Sequence, residues 1–188
     1  MCNLPTATST TLIRSTTEVS KVGYPPVSGT AEGNAISPSD ETTNWQTYSN
    51  PYFMVSLQYP AGWKHQDGDP HYGERYGSED GYFTMTAMGG TGLTIEKAAK
   101  SEAEHKLQPY GPQPVIHKIQ IDGQEARLIT PAPADQLDNM RWQAGLIVRY
   151  PKPIMLNGNE YQYLILYADP AHIPSLAGSL QFDASVFP

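Results

Sequence analysis

Cys2 is the only cysteine in this 188-residue chain. An intrachain disulfide and every multi-cysteine zinc motif are therefore excluded. Positive charge is also scarce. Twelve Lys and Arg stand against nineteen Asp and Glu, giving a formal net charge of -7 and a pI near 5.1. The electrostatic footprint of a nucleic-acid-binding protein is thus missing. The same acidity disfavours docking on anionic lipid through a basic patch. No apolar run approaches the roughly 20 residues that a membrane-spanning helix needs. What the chain does have is 12 Tyr, 16 Gly and 17 Pro, with 39% hydrophobic residues. That mixture favours strands joined by turns over a helical bundle. The length allows one good core and leaves little room for a second domain.

The lone cysteine opens the stretch "MCNLPTATSTT". Residues 3–44 are mostly Ser, Thr, Pro, Gly, Ala and Asn, a composition that buries too little apolar surface to offset ordering entropy. Residues 1–44 are therefore expected to be a flexible tether. A tether directly after a cysteine is what a bacterial lipoprotein has once its signal peptide is removed, with Met1 an added start. Each buried lipid methylene contributes about 0.8 kcal/mol, so two or three acyl chains on Cys2 hold a protein on a membrane without a spanning helix. The competing reading is a cytosolic protein with an incidental thiol.

Ordered structure is expected over residues 45–188, starting near Trp45. In "YFMVSLQY" (residues 52–59) Phe53, Val55, Leu57 and Tyr59 alternate with Met54, Ser56 and Gln58, the period of a half-buried strand ended by Pro60. "GYFTMTAMGG" repeats that period. Thr94 then caps a predicted helix "IEKAAKSEAEHKL", with Glu96 in its first turn and Lys106 in its last. Its inner stripe is Ile95, Ala98, Ala99, Ala103 and Leu107. "PYGPQP" ends the helix. Asp122-Gly123 and Asn157-Gly158 mark two hairpin turns. Pro151 and Pro153 place "YPKPI" at a sheet edge or bulge, and a short helix follows "ADPAHIP". Strands, helix, strands, helix, with hairpin turns between consecutive strands, define an α+β fold. Its centre is an antiparallel β-sheet flanked by helices.

Two features together have a family look. "NWQTYSNPYFMVSLQYPAGW" places a tyrosine before an alternating strand and then Tyr-Pro-x-x-Trp. Further along come a helix after the early strands, an "I-x-I-D-G-x-E-A" hairpin, a long late strand and a final helix ending in "SLQF". Over residues 45–182 the chain resembles the PsbP-like (PsbP/Mog-type) domains. That group includes thylakoid photosystem subunits, a Ran-binding nuclear protein and many bacterial lipoproteins. The resemblance implies a central antiparallel sheet with helices on both sides, and an accessory or binding role without catalysis. No functional residue of the photosystem members maps onto an identifiable position here.

Candidate chemistry concentrates in "KHQDGDPHYGERYGSED". His65, Asp67, Asp69 and His71 alternate, and imidazole with carboxylate suits zinc or another first-row cation. Against that, Gly68 and Pro70 break an extended chain, and "DGDP" is turn chemistry. A calcium loop starting at Asp67 would need Gly where Tyr72 stands and a bidentate Glu where Ser78 stands. The preferred reading is a solvated loop after Trp63, with no cofactor. Tyr72, Tyr76 and Tyr82 flank the loop and are candidates for a partner or ligand surface. Tyr161 and Tyr163, on one face of the last long strand, are expected to pack under a helix. His105 is assigned to the charged helix face, His117 to a half-buried strand position and His172 to the start of the last helix. "MGGTG" lacks the Gly-Lys-Ser/Thr ending of a phosphate loop and reads as a turn before the helix.

The reading therefore favours a non-enzymatic domain on the extracytoplasmic face of a bacterial membrane, lipid-anchored at Cys2, which binds a protein or cell-envelope partner. The alternative is a metal-dependent hydrolase using His65, Asp67, Asp69 and His71. An unlipidated Cys2 would leave a soluble binding protein.

Overall fold

The computed structural model describes residues 44–67, 73–133 and 142–186. The tether with Cys2, together with Asp69, His71 and Tyr72, lies outside the described residues. The elements in chain order are β1 (Trp45–Asn50), β2 (Val55–Pro60), β3 (Lys64–Gln66), β4 (Arg75–Gly77), β5 (Tyr82–Met88), α1 (Ile95–Ala103), β6 (Val115–Ile121), β7 (Gln124–Thr130), β8 (Ala144–Leu156), β9 (Asn159–Ala168), α2 (Ile173–Ser179) and β10 (Gln181–Phe182). The fold is α+β with antiparallel pairing throughout.

Seven strands form the large sheet in the order β3-β4-β5-β9-β8-β7-β6, and a second sheet has the order β1-β2-β10. The expected central sheet is thus joined by a smaller one. β8 and β9 occupy the middle, so both of their faces are buried and they read as near-continuous apolar runs. Alternation along β9 divides the core in two. Leu164, Leu166 and Ala168 join α2 and the small sheet, whereas Tyr163, Ile165 and Tyr167 join Ile95, Ala98 and Ala99 of α1. Helices therefore cover opposite faces of the large sheet, as the resemblance implied.

Both hairpin turns have the expected left-handed pairs. Asp122 and Gly123 have φ of 48° and 72°, and Asn157 and Gly158 have 50° and 79°, the backbone of a two-residue turn that matches strand twist. Pro151 and Pro153 lie within β8, where the register with β9 shifts between Arg149 and Ile154.

Several boundaries differ from expectation. Met54 has a φ of 57°, so β2 begins at Val55, though Phe53 is buried with the rest of its predicted face. Helix α1 stops at Ala103. Its last-turn cation is Lys100, His105 lies beyond its end, and Leu107 is 82% exposed rather than on the inner stripe. The cause is local: the His105 ring accepts the Leu107 amide at 3.3 Å and Gln108 takes a φ of 48°, a turn that competes with another helical step. Part of the expected solvated loop is the β3–β4 hairpin, whose three-residue arms are too short to display a period. Tyr161 and Tyr163 pack into different clusters: Tyr163 lies under α1, while Tyr161 leans on the larger core near the register shift.

Candidate functional site

The β3–β4 hairpin carries the residues first considered for chemistry. His65 pairs with Tyr76 across the ladder, and the two rings meet edge to face at 5.4 Å. Tyr76 turns inward: it stacks on Phe83 at 5.5 Å with an interplanar angle of 8° and also meets Tyr48 and Tyr59. Its area thus contributes to the core rather than to an open surface. Burial pushes the hydroxyl pKa values of Tyr59 and Tyr76 up. Tyr82 points to the other face, half-buried, with the Arg75 guanidinium 3.6 Å above its ring. Its hydroxyl donates to Gln143 Oε1 at 3.2 Å. Asp67 follows β3 and is exposed. Among the described residues no group of three or more His, Cys, Asp or Glu side chains is arranged to hold a metal ion. Two of the four candidate ligands, Asp69 and His71, are not among those residues. Calorimetric titration with zinc and with calcium is expected to give heats equal to buffer dilution. A saturable isotherm that His65→Ala abolishes would instead establish the metal site.

A second polar group sits between α1 and the sheet. Glu102 accepts hydroxyl hydrogen bonds from Tyr110 at 3.1 Å and Tyr167 at 3.2 Å. Gln143 hydrogen-bonds Tyr110 as well, linking this group to Tyr82. Tyr110 is fully buried, and burial raises its hydroxyl pKa far beyond the ordinary tyrosine range, so it remains a donor. A Cβ at Gly145 would lie 2.7 Å from the Tyr110 hydroxyl oxygen, so the sheet takes glycine there. Beside it, buried Arg127 pairs with Glu96 of α1 and with Glu125 at 2.8 Å. The Arg127 hydrogen bond holds the Glu125 pKa below the usual carboxylate range. These charges clamp α1 to β7.

The sequence reading missed a third group, at the β9–α2 corner. Asp169 Oδ1 accepts the amides of Ala171 and His172, both at 3.1 Å, and His172 Nδ1 at 2.8 Å. Its Oδ2 accepts the Tyr82 amide at 3.1 Å. One carboxylate therefore holds the turn that leads into α2 and ties it to β5. Because an ionised carboxylate only accepts, Nδ1 of His172 carries the proton. The His172 ring meets Trp63 edge to face at 4.9 Å. A Cβ at Gly81 would come within 2.4 Å of Asp169 Oδ2, so this approach requires glycine. Burial raises the Asp169 pKa, but the bonds from His172 and the backbone outweigh it and leave it lowered. The legible signal was "ADPAH", an aspartate ahead of a proline and two further amides. His117, half-buried on β6, bonds Thr130 Oγ1 at 3.2 Å.

No protein-family model and no curated protein matches the chain. Among solved structures the chain is similar to the solution structure of cyanobacterial PsbP (CyanoP) from Synechocystis sp. PCC 6803, with 14% identity and a TM-score of 0.46. The match covers 82% of this chain and 98% of that one. At such identity the likeness concerns the fold alone.

Proposed function

We propose that this chain is a non-enzymatic binding domain, held by lipid at Cys2 on the extracytoplasmic face of a bacterial membrane, that engages a protein or cell-envelope partner. The observation that carries the binding reading is how its polar constellations are used. Asp169 with His172, Glu102 with two tyrosines, and Arg127 with two glutamates each fasten one element to another. Meanwhile Val115 and Ile116 on the outer strand β6 are 37% and 39% exposed, apolar area of the kind that partners cover. The anchor is supported by Cys2 and the Ser/Thr/Pro-rich residues after it.

Two measurements test the reading. In cells fed alkyne-palmitate, Cys2 of the full-length precursor is expected to take label. Cys2→Ser is expected to lose both label and membrane retention, and an unlabelled wild-type precursor removes the anchor. Detergent extraction of the anchored protein is expected to bring a stoichiometric partner through repeated washing. A chain that elutes alone at every concentration removes the binding reading.

A further inference from the structure

We infer that the outer edge of β6, with the groove beside it, accepts an extended peptide in which acidic and aliphatic residues alternate. The peptide would add to the large sheet as an eighth strand. This deepens the binding reading and rests on it.

The placement begins with topology. β6 ends the seven-stranded order, and among the described residues no strand pairs with its outer side. An open edge presents unpaired amides and carbonyls at strand spacing, the template used when extended peptides add to sheets. Beside it, an open groove of about 430 Å³ runs between the end of α1 and the start of β6, lined by Lys100, Glu104, Lys106, Pro112, Pro114 and Ile116. Apolar exposure accompanies this edge. Of the six exposed large hydrophobic residues among those described, Ile116 lines the groove, Val115 lies on the other face of the same strand, and Leu107 lies in the segment between α1 and β6.

Charge then selects the occupant. Register places Ile116 opposite Ile129 and Lys118 opposite Arg127, and Ile129 lies in the core beneath α1. Ile116 and Lys118 therefore share the groove side of the sheet. Lys100 and Lys106 line the groove with Glu104, which is 3.7 Å from Lys100 in an exposed pair, and Lys118 shares that face by register, as does Glu125, which pairs with Arg127 and Arg149. The other acids of α1 have partners of their own: the exposed Glu96 pairs with Arg127, and Glu102 accepts from Tyr110 and Tyr167. A local excess of cation thus stands on a chain of net charge -7, and it is complementary to carboxylates. On the opposite face β6 offers Val115 and half-buried Ile119 on either side of His117, whose ring bonds Thr130 Oγ1. A strand laid along this edge sends alternate side chains to the two faces. Acidic residues would face the three lysines, and aliphatic ones would lie beside Val115 and Ile119.

The test uses the full chain and a fluorescein-labelled Glu-Val alternating octapeptide, read by anisotropy. The Glu-Val probe is expected to bind, and a Lys-Val probe of the same length is expected not to. Affinity should fall about tenfold or more between roughly 0.05 M and 0.5 M salt. The triple variant K100E/K106E/K118E should weaken binding by at least about tenfold, its fold checked by circular dichroism. A Glu-Val probe N-methylated at alternate amides, with the same charge, should lose binding because it cannot pair as a strand. Equal binding of the methylated probe, equal binding of Lys-Val, or no binding of Glu-Val overturns the proposal. So does retention on vesicles of anionic lipid that the lysine reversals abolish while peptide binding is absent. If the triple variant still co-purifies with its membrane partner, strand addition fails while the binding reading stands.

Discussion

Replacing Phe83 with alanine is expected to cost about 3–5 kcal/mol and to lower Tm by roughly 10–15 °C. Phe83 is fully buried, and four aromatic rings surround it: Tyr48 at 5.3 Å, Tyr59 at 5.5 Å, Tyr76 at 5.5 Å and Trp63 at 6.2 Å. These rings come from β1, β2, β4 and the segment after β2, so Phe83 joins the small sheet to the large one. The loss has two parts, the transfer free energy of the ring and the cavity left where four rigid neighbours cannot collapse. Phe83→Leu fills most of that volume and is expected to retain over half of the lost stability. Thermal melts of the three proteins check this. A Phe83→Ala melt within 3 °C or so of wild type would mean that the cluster repacks freely, against the close packing of protein interiors.

The second large effect is expected at Asp169. Asp169→Ala should cost about 2–4 kcal/mol, because it leaves the amides of the turn before α2, the His172 ring and the Tyr82 amide without their acceptor. The pH dependence follows from the direction of its pKa. In the folded chain the Asp169 carboxyl lies below its ordinary value of 3.8. The unfolded chain therefore binds protons first as pH falls, and the stabilisation is fully present above the unfolded value. It is lost as pH drops through the lower folded value. Chemical denaturation from about pH 7 to pH 2 should show the gap between wild type and Asp169→Asn narrowing toward acid. Glu96, Glu125 and Asp183 are also lowered, so both proteins lose stability in acid, and the difference between them isolates Asp169. A constant gap across that range would show that the charge of this carboxylate does not hold the corner.

Much of the architecture could be read from side-chain period. The face formed by Phe53, Val55, Leu57 and Tyr59, and the pair Phe83 and Met85, are buried as alternation requires. Thr94 accepts the Lys97 amide at 3.3 Å, a bond that "T-I-E-K" announces. Asp122-Gly123 and Asn157-Gly158 turn because their dipeptides tolerate left-handed backbone. Short elements escaped. β3, β4 and β10 have three, three and two residues, fewer than a period needs, and only the strands beside them stabilise them. The end of α1 was misjudged because propensity favours continuing through Lys106, while the His105–Leu107 contact and Gln108 stop it. Candidate sites were harder still. Histidines close in sequence attracted attention at His65 and His71. Among the described residues, the imidazole–carboxylate pair instead joins His172 to Asp169, whose second oxygen reaches Tyr82, 87 positions away in the chain. The Asp169–His172 pair leaves a local signal in "ADPAH", but its reach to Tyr82 depends on which strands adjoin and leaves none.

β2 lies between β1 and β10. One neighbour is met within the first few residues of the domain, and the other only at Gln181 and Phe182, whose backbone amide also reaches Asp122 Oδ2 at 2.9 Å. A polypeptide emerging amino end first can make the β1–β2 hairpin early, but it must keep one flank of β2 open until Gln181 and Phe182 arrive. Closure over so long a loop is slow, so one edge of β2 stays open while the intervening strands assemble.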